Sequence, residues 1–477
     1  MGHSTRAAFL RFCAGVVALS VLGAGCTNAP DAATVAASKR VDLNVWGVED
    51  DFDAYNAIFT DYHKIHPNIF INFQRFRLEE YENSLLNAWA EDRGPDIFLI
   101  HNTWVGKYMP KIAPMPPTTH VAVQVVVGTI KKEVQYQLVD QPTMTIRAFK
   151  TDFPDVVPAD MLKTVNVSTQ SDKTNFQQRI VAMPLSVDTL GLYVNKDLLN
   201  VAGITTIPET WDTFQAAVKK LVKTDKTGEI LQAGAALGTG ANIERSPDII
   251  SALMMQNGAD MAAADGTPLF ATIPQKLQGQ RDVPPSFQAL GFYSDFANPG
   301  KEVYTWNAKQ PNSLDAFLQG KVAFFLGYSY DLPVIRARAP KLNLAIAKLP
   351  QIAGNPEANF ANYWAWTVSK KSKNIDVSWN LIDFMRGPDE AKKYLDFTKR
   401  PAALKALLNG QMDDENVGVF AAQVLTSQSW YRGSDPQAAD NAFVEMLENV
   451  AASGGDPNVI RDSVRTASDK VSQTITF

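Results

Sequence analysis

The chain has 477 residues, too many for one ordinary hydrophobic core, so its length predicts two lobes or domains. Its hydrophobic fraction of 45% is typical of a soluble globular protein, and its net charge of −5 argues against nucleic acid as a partner. The two cysteines, Cys13 and Cys26, both lie near the N-terminus, so the rest of the sequence offers no pair for a disulfide.

The N-terminus resembles a bacterial secretory signal. Arg6 and Arg11 form a basic start before an apolar run from Phe12 to Leu22. This run is too short to span a membrane as a mature helix. The run leads into L-G-A-G-C, which is similar to a lipobox, although its leucine stands one place earlier than usual. We therefore expect lipidation of Cys26, with ordinary cleavage nearby or an unprocessed start as the alternatives. The Ala-rich, polar residues 27–40 are expected to form a flexible linker.

From residue 41 onward the pattern is that of a folded α/β body. Alternating apolar residues and a short apolar run predict strands near 41–45, 69–73 and 96–100, and helical spacing predicts two helices between them. This β-α-β-α-β order favours a parallel sheet that is covered by helices. Ligands bind beyond the carboxyl ends of such strands. Here those ends carry aromatic and polar residues, namely Trp46, Glu49, Asn102 and Trp104.

Residues 110–180 follow a less regular pattern. Four prolines between residues 110 and 117 argue against a helix there. The runs Val121–Val127 and Val134–Val139 predict two strands that pair as a β-hairpin. We expect this part of the chain to extend the first lobe, and the sequence assigns no role to it.

The run from Val181 to Leu199 reads V-A-M-P-L-S-V-D-T-L-G-L-Y-V-N-K-D-L-L, and its second part alternates as a strand does before a polar turn. Ala202-Gly203-Ile204 and the segment P-E-T-W-D-T-F at residues 208–214 follow it. In order and spacing, these segments resemble the crossover region of extracellular solute-binding proteins of ABC importers, in the family that includes maltose-binding protein. The segments F-L-Q-G-K-V-A-F-F-L-G at 317–327 and N-Y-W-A-W-T-V at 362–368 also resemble that family.

The resemblance implies a two-lobed α/β fold of the type II periplasmic-binding-protein class, with the lobes joined by hinge crossovers. Under it, residues 1–26 are a signal peptide, 27–40 a linker, 41–190 and 365–398 the N-terminal lobe, and 191–364 and 399–477 the C-terminal lobe. It also implies a monomeric, extracytoplasmic protein that is tethered to the membrane by its lipid anchor and needs no cofactor. Such a protein captures a small solute by hinge closure and presents it to the permease subunits of a transporter.

Most residues of the candidate ligand site are aromatic. Aromatic faces stack on sugar rings while nearby polar groups bind the sugar hydroxyls, so this composition suits a carbohydrate. For each single aromatic residue, packing in the core is an equally good explanation. The charged candidates also have alternatives: Glu49 fits a helix N-terminus, Asp188 fits a brace for the crossing strand, and Arg400 fits an anchor for the last loop. The full candidate set is Trp46, Glu49, Asn102, Trp104, Asp188, Tyr193, Tyr328, Tyr330, Tyr363, Trp364, Arg400 and Trp430.

Catalysis finds little support in the sequence. It contains no G-x-S-x-G elbow, no H-E-x-x-H motif and no P-loop. His63 and His66 are the only histidines with spacing near that of metal ligands, and such a pair is more often solvent-facing at a helix end. An extracellular enzyme acting on glycans stays open because a pair of carboxylates is defined in space. A surface sensor or adhesin of the same fold is the third alternative.

The ligand is expected to be a sugar or oligosaccharide, with polyols, peptides and anions as alternatives.

Overall fold

Two α/β lobes, each built on a five-stranded sheet, form the body of the protein, and the computed structural model describes residues 31–128, 131–168 and 174–475. The strands are β1 (Val41–Val48), β2 (Ile69–Phe76), β3 (Ile97–His101), β4 (Ile112–Ala113), β5 (Thr118–Val127), β6 (Glu133–Pro142), β7 (Leu162–Asn166), β8 (Phe176–Ile180), β9 (Asp188–Thr189), β10 (Gly191–Asn195), β11 (Lys223–Thr224), β12 (Ile230–Ala235), β13 (Val322–Gly327), β14 (Leu344–Lys348), β15 (Asn359–Asn362), β16 (Trp364–Ser369) and β17 (Ser427–Gln428).

The α-helices are α1 (Ala32–Ala37), α2 (Asp53–Ile65), α3 (Leu78–Ala90), α4 (Val105–Tyr108), α5 (Ile146–Asp152), α6 (Val156–Met161), α7 (Lys196–Val201), α8 (Trp211–Leu221), α9 (Ser246–Gln256), α10 (Pro285–Asp295), α11 (Ser313–Leu318), α12 (Asp331–Arg338), α13 (Ile375–Met385), α14 (Pro388–Thr398), α15 (Lys405–Leu408), α16 (Gly418–Ala421), α17 (Pro436–Ala452) and α18 (Pro457–Ser472).

The first sheet has the strand order β2-β1-β3-β16-β4. Strand β1 is parallel to β2 and β3, which confirms the predicted β-α-β-α-β unit. The late strand β16 is antiparallel to β3, with Trp364 opposite His101, so the chain returns to the first lobe at the carboxyl end of β3. The apolar stripe of α2 packs on this sheet, since Tyr55, Ile58 and Tyr62 are all buried.

The second sheet has the order β11-β12-β13-β10-β14. The crossover strand β10 is antiparallel to both β13 and β14, and all five of its residues are buried. Helix α8 covers this sheet with Phe214 and Val218. The Thr210 side chain caps α8 by accepting a hydrogen bond from the backbone N–H of Thr213. The indole N–H of Trp211 donates to Gln256 at 2.6 Å and so ties α8 to α9.

A small sheet of order β17-β15-β9 lies where the chain passes between the lobes. Each lobe has its own hydrophobic core. Buried residues of the segments before β9 and between β15 and β17 pack mainly in the core of the first lobe, which we call the first core. Buried residues of the other segments pack in the core of the second lobe, which we call the second core. Ala402, Ala403 and Leu404 pack in the first core, although the sequence assigned residues 399–477 to the second lobe. We therefore propose that the chain crosses to the second lobe for the last time at β17 rather than at the predicted boundary between residues 398 and 399, and that the lobe boundaries follow this small sheet.

Residues 110–180 form two antiparallel hairpins. Strands β5 and β6 pair with Val121 opposite Val139, which confirms the predicted hairpin. Its base is held to the first lobe, because His120 contacts Asp376 at 2.8 Å and the His66 ring contacts the carbonyl oxygen of Ala122 at 3.0 Å. The second hairpin, β7 with β8, was not predicted. Its strands alternate polar residues with few apolar ones, and Phe176 stays exposed, so the sequence carries no amphipathic signal.

The segment expected to be a flexible linker contains the short helix α1. The Asp31 side chain caps α1 by accepting from the backbone N–H of Thr34, and the Asn68 amide donates to the carbonyl oxygens of Ala37 and Lys39. These bonds explain why part of residues 27–40 is ordered. Cys26 lies outside the described residues. Within the described ranges, no helix is both long enough and apolar enough to cross a membrane.

Candidate functional site

A cleft of about 730 Å³ lies between the two lobes. Its first wall comes from the carboxyl ends of β1 and β3, from the start of β16 and from the N-terminal half of α3. Its second wall comes from the residues that precede α9, from the start of α12 and from the start of α17. The crossing strand β9 contributes Asp188. This arrangement follows from the topology, because ligand sites of α/β sheets form beyond the carboxyl ends of parallel strands.

Seven of the candidate residues from the sequence line this cleft. They come from both lobes and from the crossing strand, so a ligand in the cleft could touch both lobes at once. These seven residues are Glu49, Trp104, Asp188, Tyr330, Tyr363, Trp364 and Arg400.

Five other candidates are absent from the cleft lining, and each is packed elsewhere. The fully buried Tyr193 donates its hydroxyl to the Tyr328 carbonyl oxygen at 2.5 Å, and the Tyr328 hydroxyl donates to Asp248 at 2.7 Å. Trp430 packs on Phe270 and Phe443 inside the second core.

The remaining two candidates belong to the first lobe. Trp46 packs against Phe76 with ring centroids 4.5 Å apart. Asn102 is buried, and its amide points to Asp160 and to the carbonyl oxygen of Ala361, both at 3.4 Å. We therefore leave these five residues out of the proposed ligand site.

Aromatic rings form the first-lobe wall of the cleft. Trp364 and Trp104 are half-buried and meet edge to face, with centroids 5.3 Å apart at 75°. The buried Tyr81 supports both indoles from behind, at 5.9 Å from Trp364 and 6.5 Å from Trp104. Such supported rings offer rigid apolar faces with little conformational entropy to lose on binding.

Arg400 lines the cleft and is held by an ion pair. Its guanidinium donates to Asp50 at 2.8 Å, and the Tyr394 hydroxyl donates to the same carboxylate at 2.8 Å. The Arg400 backbone carbonyl accepts from Gln411 at 2.8 Å. Arg400 therefore anchors its loop on the first lobe and also faces the cleft. The two alternatives that the sequence left open for Arg400, a ligand-site residue and a loop anchor, are compatible in this structure.

Glu49 has a structural role beside its place in the lining. It adopts a left-handed backbone conformation, with φ of 64°, and its carboxylate accepts from the backbone N–H of Leu78 at 3.0 Å. Leu78 is the first residue of α3, so Glu49 satisfies a free N–H at a helix N-terminus. The helix whose N-terminus Glu49 contacts is therefore α3, not α2, which is nearer in sequence.

Asp188 binds the crossing strand to the second lobe. It accepts hydrogen bonds from the Ser329 hydroxyl at 2.6 Å, from the Ser329 backbone N–H at 3.0 Å and from the Thr189 backbone N–H at 2.9 Å. Burial raises the pKa of Asp188 to about 6, although these bonds favour the ionised form and oppose the shift. Asp188 thus acts as the brace considered from the sequence while part of it faces the cleft.

This raised pKa predicts a pH dependence of stability. The unfolded carboxyl titrates near 3.8, so the folded state binds more protons at this position between pH 4 and 6, and its contribution to stability falls as pH rises. Asp188→Asn removes this contribution. The variant's free energy of unfolding, relative to the unmodified protein, is expected to rise from pH 4 to pH 6 by up to about 1.4 kcal/mol per unit.

Urea unfolding at pH 4, 5, 6 and 7 measures this difference. Burial lowers the pKa of His101 to about 4, which gives the unmodified protein an opposite slope, so only the difference between variant and parent isolates Asp188. Asp152→Asn, at an exposed position outside the cleft, is the control and should track the parent. A constant difference between Asp188→Asn and the parent across this range would contradict the assignment.

His101 is a cleft residue that the sequence analysis missed. Its two ring nitrogens contact the Thr103 hydroxyl at 2.8 Å and the Asn362 side-chain oxygen at 3.1 Å. The lowered pKa keeps the ring neutral at pH 7, so it can donate or accept a hydrogen bond without adding charge. A signal was available, because His101 ends β3 beside the candidate Asn102.

The other missed residues lie mainly on helix faces. On α3 and α4 they look like an ordinary solvated face, and those near α9 and α17 reach the cleft only through packing of distant segments. The polar and aromatic members are Asp50, Tyr55, Glu79, Glu82, Asn83, Thr103, Lys107, Ser186, Glu244, Arg245, Asn362, Trp366, Tyr394, Gln437 and Asp440. Among the described residues, no group of three His, Cys, Asp or Glu side chains is placed to hold a metal ion.

Residues 46–392 match the family of bacterial extracellular solute-binding proteins. The multiple sugar-binding protein of Streptococcus mutans is 26% identical over 241 residues, which are 50% of this chain and 54% of that protein. A binding protein of Brucella abortus is 24% identical over 219 residues, 44% of this chain and 48% of its own length. The chain thus spans about half the length of these sequence relatives.

Solved structures share the fold over nearly the whole chain. The cyclic α-maltosyl-1,6-maltose binding protein of Arthrobacter globiformis has a TM-score of 0.66 at 18% identity, over 91% of this chain and 99% of that chain. The maltose-binding periplasmic protein of Listeria monocytogenes, in complex with maltose, has a TM-score of 0.65 at 18% identity, with the same coverage. The GacH receptor of Streptomyces glaucescens, solved unliganded and with acarbose, has a TM-score of 0.64 at 18% identity, over 91% and 98%.

Proposed function

Because the chain belongs to the bacterial extracellular solute-binding proteins, the ligand-capturing subunits of ABC importers, we propose that it captures a sugar or oligosaccharide in the cleft between its lobes. Members of this family act outside the cytoplasm as binding proteins rather than as enzymes. The single observation that carries the proposal is the cleft itself. It offers the supported rings of Trp104 and Trp364 beside a dense set of polar groups.

The cleft chemistry suits a polyhydroxylated ring better than an apolar ligand. Sugar rings expose C–H faces that stack on indoles and hydroxyls that need hydrogen-bond partners. Carboxylates of Glu79 and Glu82 and the side chains of Asn83 and Gln437 stand within the same lining. The names of the similar proteins support this class, since the relative from Streptococcus mutans is a sugar-binding protein and the Listeria monocytogenes structure contains maltose.

The two walls supply a mechanism for capture. A ligand that touches both lobes binds the closed form more tightly than the open form, so it shifts the hinge equilibrium toward closure. The three short strands β9, β15 and β17 are the positions where backbone rotation would move one lobe against the other. The closed form would then be the one that the permease subunits of the importer recognise.

We also propose that the mature protein is anchored to the membrane through a lipid on Cys26. The support is the sequence signal at residues 1–26, which ends in small residues before that cysteine. Acyl chains contribute about 0.8 kcal/mol for each buried CH₂ group, so they would hold the protein near its transporter. Radiolabelled palmitate in the native host should be incorporated by the parent and lost in Cys26→Ser, and equal labelling of both would overturn the anchor.

A thermal-shift and calorimetric screen of the purified protein tests the sugar assignment. The panel contains hexoses, maltose, maltotriose, cellobiose and mannobiose, with polyols, amino acids and inorganic anions as other classes. A ligand at about 100 times its Kd should stabilise the folded state by about 2.7 kcal/mol. Chromatography after binding should recover the sugar unchanged. Stabilisation by an amino acid or anion alone would overturn the sugar assignment, and consumption of the sugar would favour the enzyme alternative.

A further inference from the structure

The charges that line the cleft are strongly unbalanced. Seven carboxyl groups face three cationic side chains, a formal difference of 3 − 7 = −4. The carboxyl groups belong to Glu49, Asp50, Glu79, Glu82, Asp188, Glu244 and Asp440, and the cations are Lys107, Arg245 and Arg400. The excess is local, since the whole chain of 477 residues carries only −5.

Each of the three cations is already engaged by a carboxylate. Lys107 pairs with Glu82 at 2.7 Å and Arg400 pairs with Asp50 at 2.8 Å. Arg245 pairs with the buried Asp248 at 2.7 Å, behind the lining, and approaches Asp440 at 3.6 Å. An acidic ligand would have to compete with these pairs, so the cleft is poorly prepared for a carboxylate or phosphate group.

Three glutamates remain outside these pairs, and they come from both walls. Glu49 and Glu79 lie on the first lobe and Glu244 lies on the second, and none of them takes part in the ion pairs of the described residues. Glu49 accepts from the Leu78 backbone and Glu244 accepts from the Asn312 amide at 3.1 Å, bonds that orient the carboxylates without neutralising them. Like charges on facing walls oppose closure, and a cation between them would relieve this repulsion.

The chemistry of the walls selects the kind of cation. The described residues place no three potential ligands close enough together for a metal ion, so the negative charge is spread along the cleft. The volume of about 730 Å³ and the two indoles suit a larger organic body. Indole faces also attract ammonium groups directly through the negative face of the ring.

From these observations we propose that the cleft prefers an amine-bearing sugar over the neutral or acidic sugar of the same skeleton. This inference rests on the proposed sugar binding and narrows it to a charge class. The ammonium group would bind near the unpaired glutamates while the ring stacks on the tryptophan wall. Because several partly exposed ion pairs contribute, we expect the amine to bind about tenfold more tightly than its neutral analogue.

Calorimetry with matched sugars tests this preference. For glucose, galactose and mannose, the panel compares the free sugar, the 2-amino sugar, its uncharged N-acetyl form and the uronic acid. Cellobiose and its diamino counterpart, fully deacetylated chitobiose, extend the comparison to two rings. The amine should bind most tightly and the uronic acid most weakly. Raising NaCl from about 20 mM to about 0.5 M should reduce the advantage of the amine, because the Debye length shrinks severalfold.

Isosteric variants connect the preference to the glutamates. Glu79→Gln and Glu244→Gln should each reduce the ratio of amine to neutral affinity by about two- to fivefold. Glu302→Gln, at a largely exposed glutamate outside the cleft lining, should leave the ratio unchanged. Circular dichroism melts check that the variants fold.

The outcomes separate the inference from the proposed function. Equal or weaker binding of the amine than of the neutral sugar would overturn the inference and leave sugar capture standing. A salt-independent amine preference would also overturn it, because it would not be electrostatic. Failure of every sugar in the panel to bind would overturn the proposed function, and the inference with it.

Discussion

Replacing Asp160 by alanine is expected to lower the free energy of unfolding by about 4 kcal/mol. The Asp160 side chain is fully buried and pairs with Arg432 at 2.6 Å. Its carboxylate also accepts from the Tyr363 hydroxyl at 2.7 Å and from the Ser429 hydroxyl at 2.6 Å. Alanine would leave a largely buried guanidinium and two hydroxyl donors without their acceptor, and breaking a buried pair by removing one partner costs about 3–5 kcal/mol.

The position of Asp160 explains why the expected effect is large. It lies on α6 among first-core residues, whereas Arg432 follows β17 beside Trp430 and Tyr431 of the second core. The backbones also meet here, because a Cβ atom at Gly106 of α4 would collide with the carbonyl oxygens of Arg432 and Gly433. The ion pair therefore joins the two lobes at a place where their backbones are in close contact, a few residues after β17.

Urea unfolding followed by tryptophan fluorescence measures the effect of the Asp160 variant. Arg432→Met tests the pair from the other side and should destabilise by a similar amount, because it leaves the carboxylate buried without its cation. The double variant should cost clearly less than the sum of the two single variants. Asp396→Ala removes an exposed i,i+4 pair with Lys392 and should cost less than about 1 kcal/mol.

If Asp160→Ala cost no more than Asp396→Ala, the joint between the lobes would be solvated rather than buried. If the single costs added without coupling, the hydroxyl bonds rather than the ion pair would carry the effect. A transition that separates into two steps in the variant alone would show that Asp160 holds the lobes in one cooperative unit.

The sequence predicted the β1-α2-β2-α3-β3 unit of the first lobe because each of its signals is local. The alternation in β1 and β2 and the helical spacing in α2 each lie within one short window of sequence, and their pairing follows the handedness of parallel units. The third crossing that we propose at β17 could not be found in this way. It depends on where Ala402–Leu404 pack, and those residues carry the same apolar signal whichever core accepts them.

The candidate site shows the same limit at the level of side chains. Tyr328 and Tyr330 are two residues apart at the end of one strand, yet Tyr328 turns inward to Asp248 while Tyr330 remains 38% exposed in the cleft. The type of residue predicted an aromatic site, but the direction of each ring depends on partners far away in sequence. Gln437 and Asp440 reach the cleft only because α17 packs against α9.

Replacing Trp364 by alanine is expected to weaken binding of the best sugar of the screen by about 100-fold. Trp364 stands at the centre of the aromatic wall. The centroid of its ring system lies 5.3 Å from that of Trp104, 5.2 Å from that of His101 and 5.9 Å from that of Tyr81. A central, well-supported aromatic residue is the kind of position where truncation costs more than about 2 kcal/mol of binding energy, and 2.7 kcal/mol corresponds to about 100-fold. Titration calorimetry measures the change in Kd.

The conservative variant separates stacking from general damage. Trp364→Phe keeps an aromatic face, so its affinity for the sugar should fall by less than about tenfold. If Trp364→Phe instead lost as much affinity as Trp364→Ala, the indole N–H rather than stacking would carry the binding. Phe397→Ala removes an exposed ring outside the cleft and should leave Kd unchanged. Because Trp364 is the first residue of β16 and faces His101 across the sheet, truncation also leaves the neutral His101 ring without its edge contact. If Trp364→Ala bound the sugar as tightly as the parent, the ligand would have to lie against the second wall, and the aromatic wall would be only a support for β3.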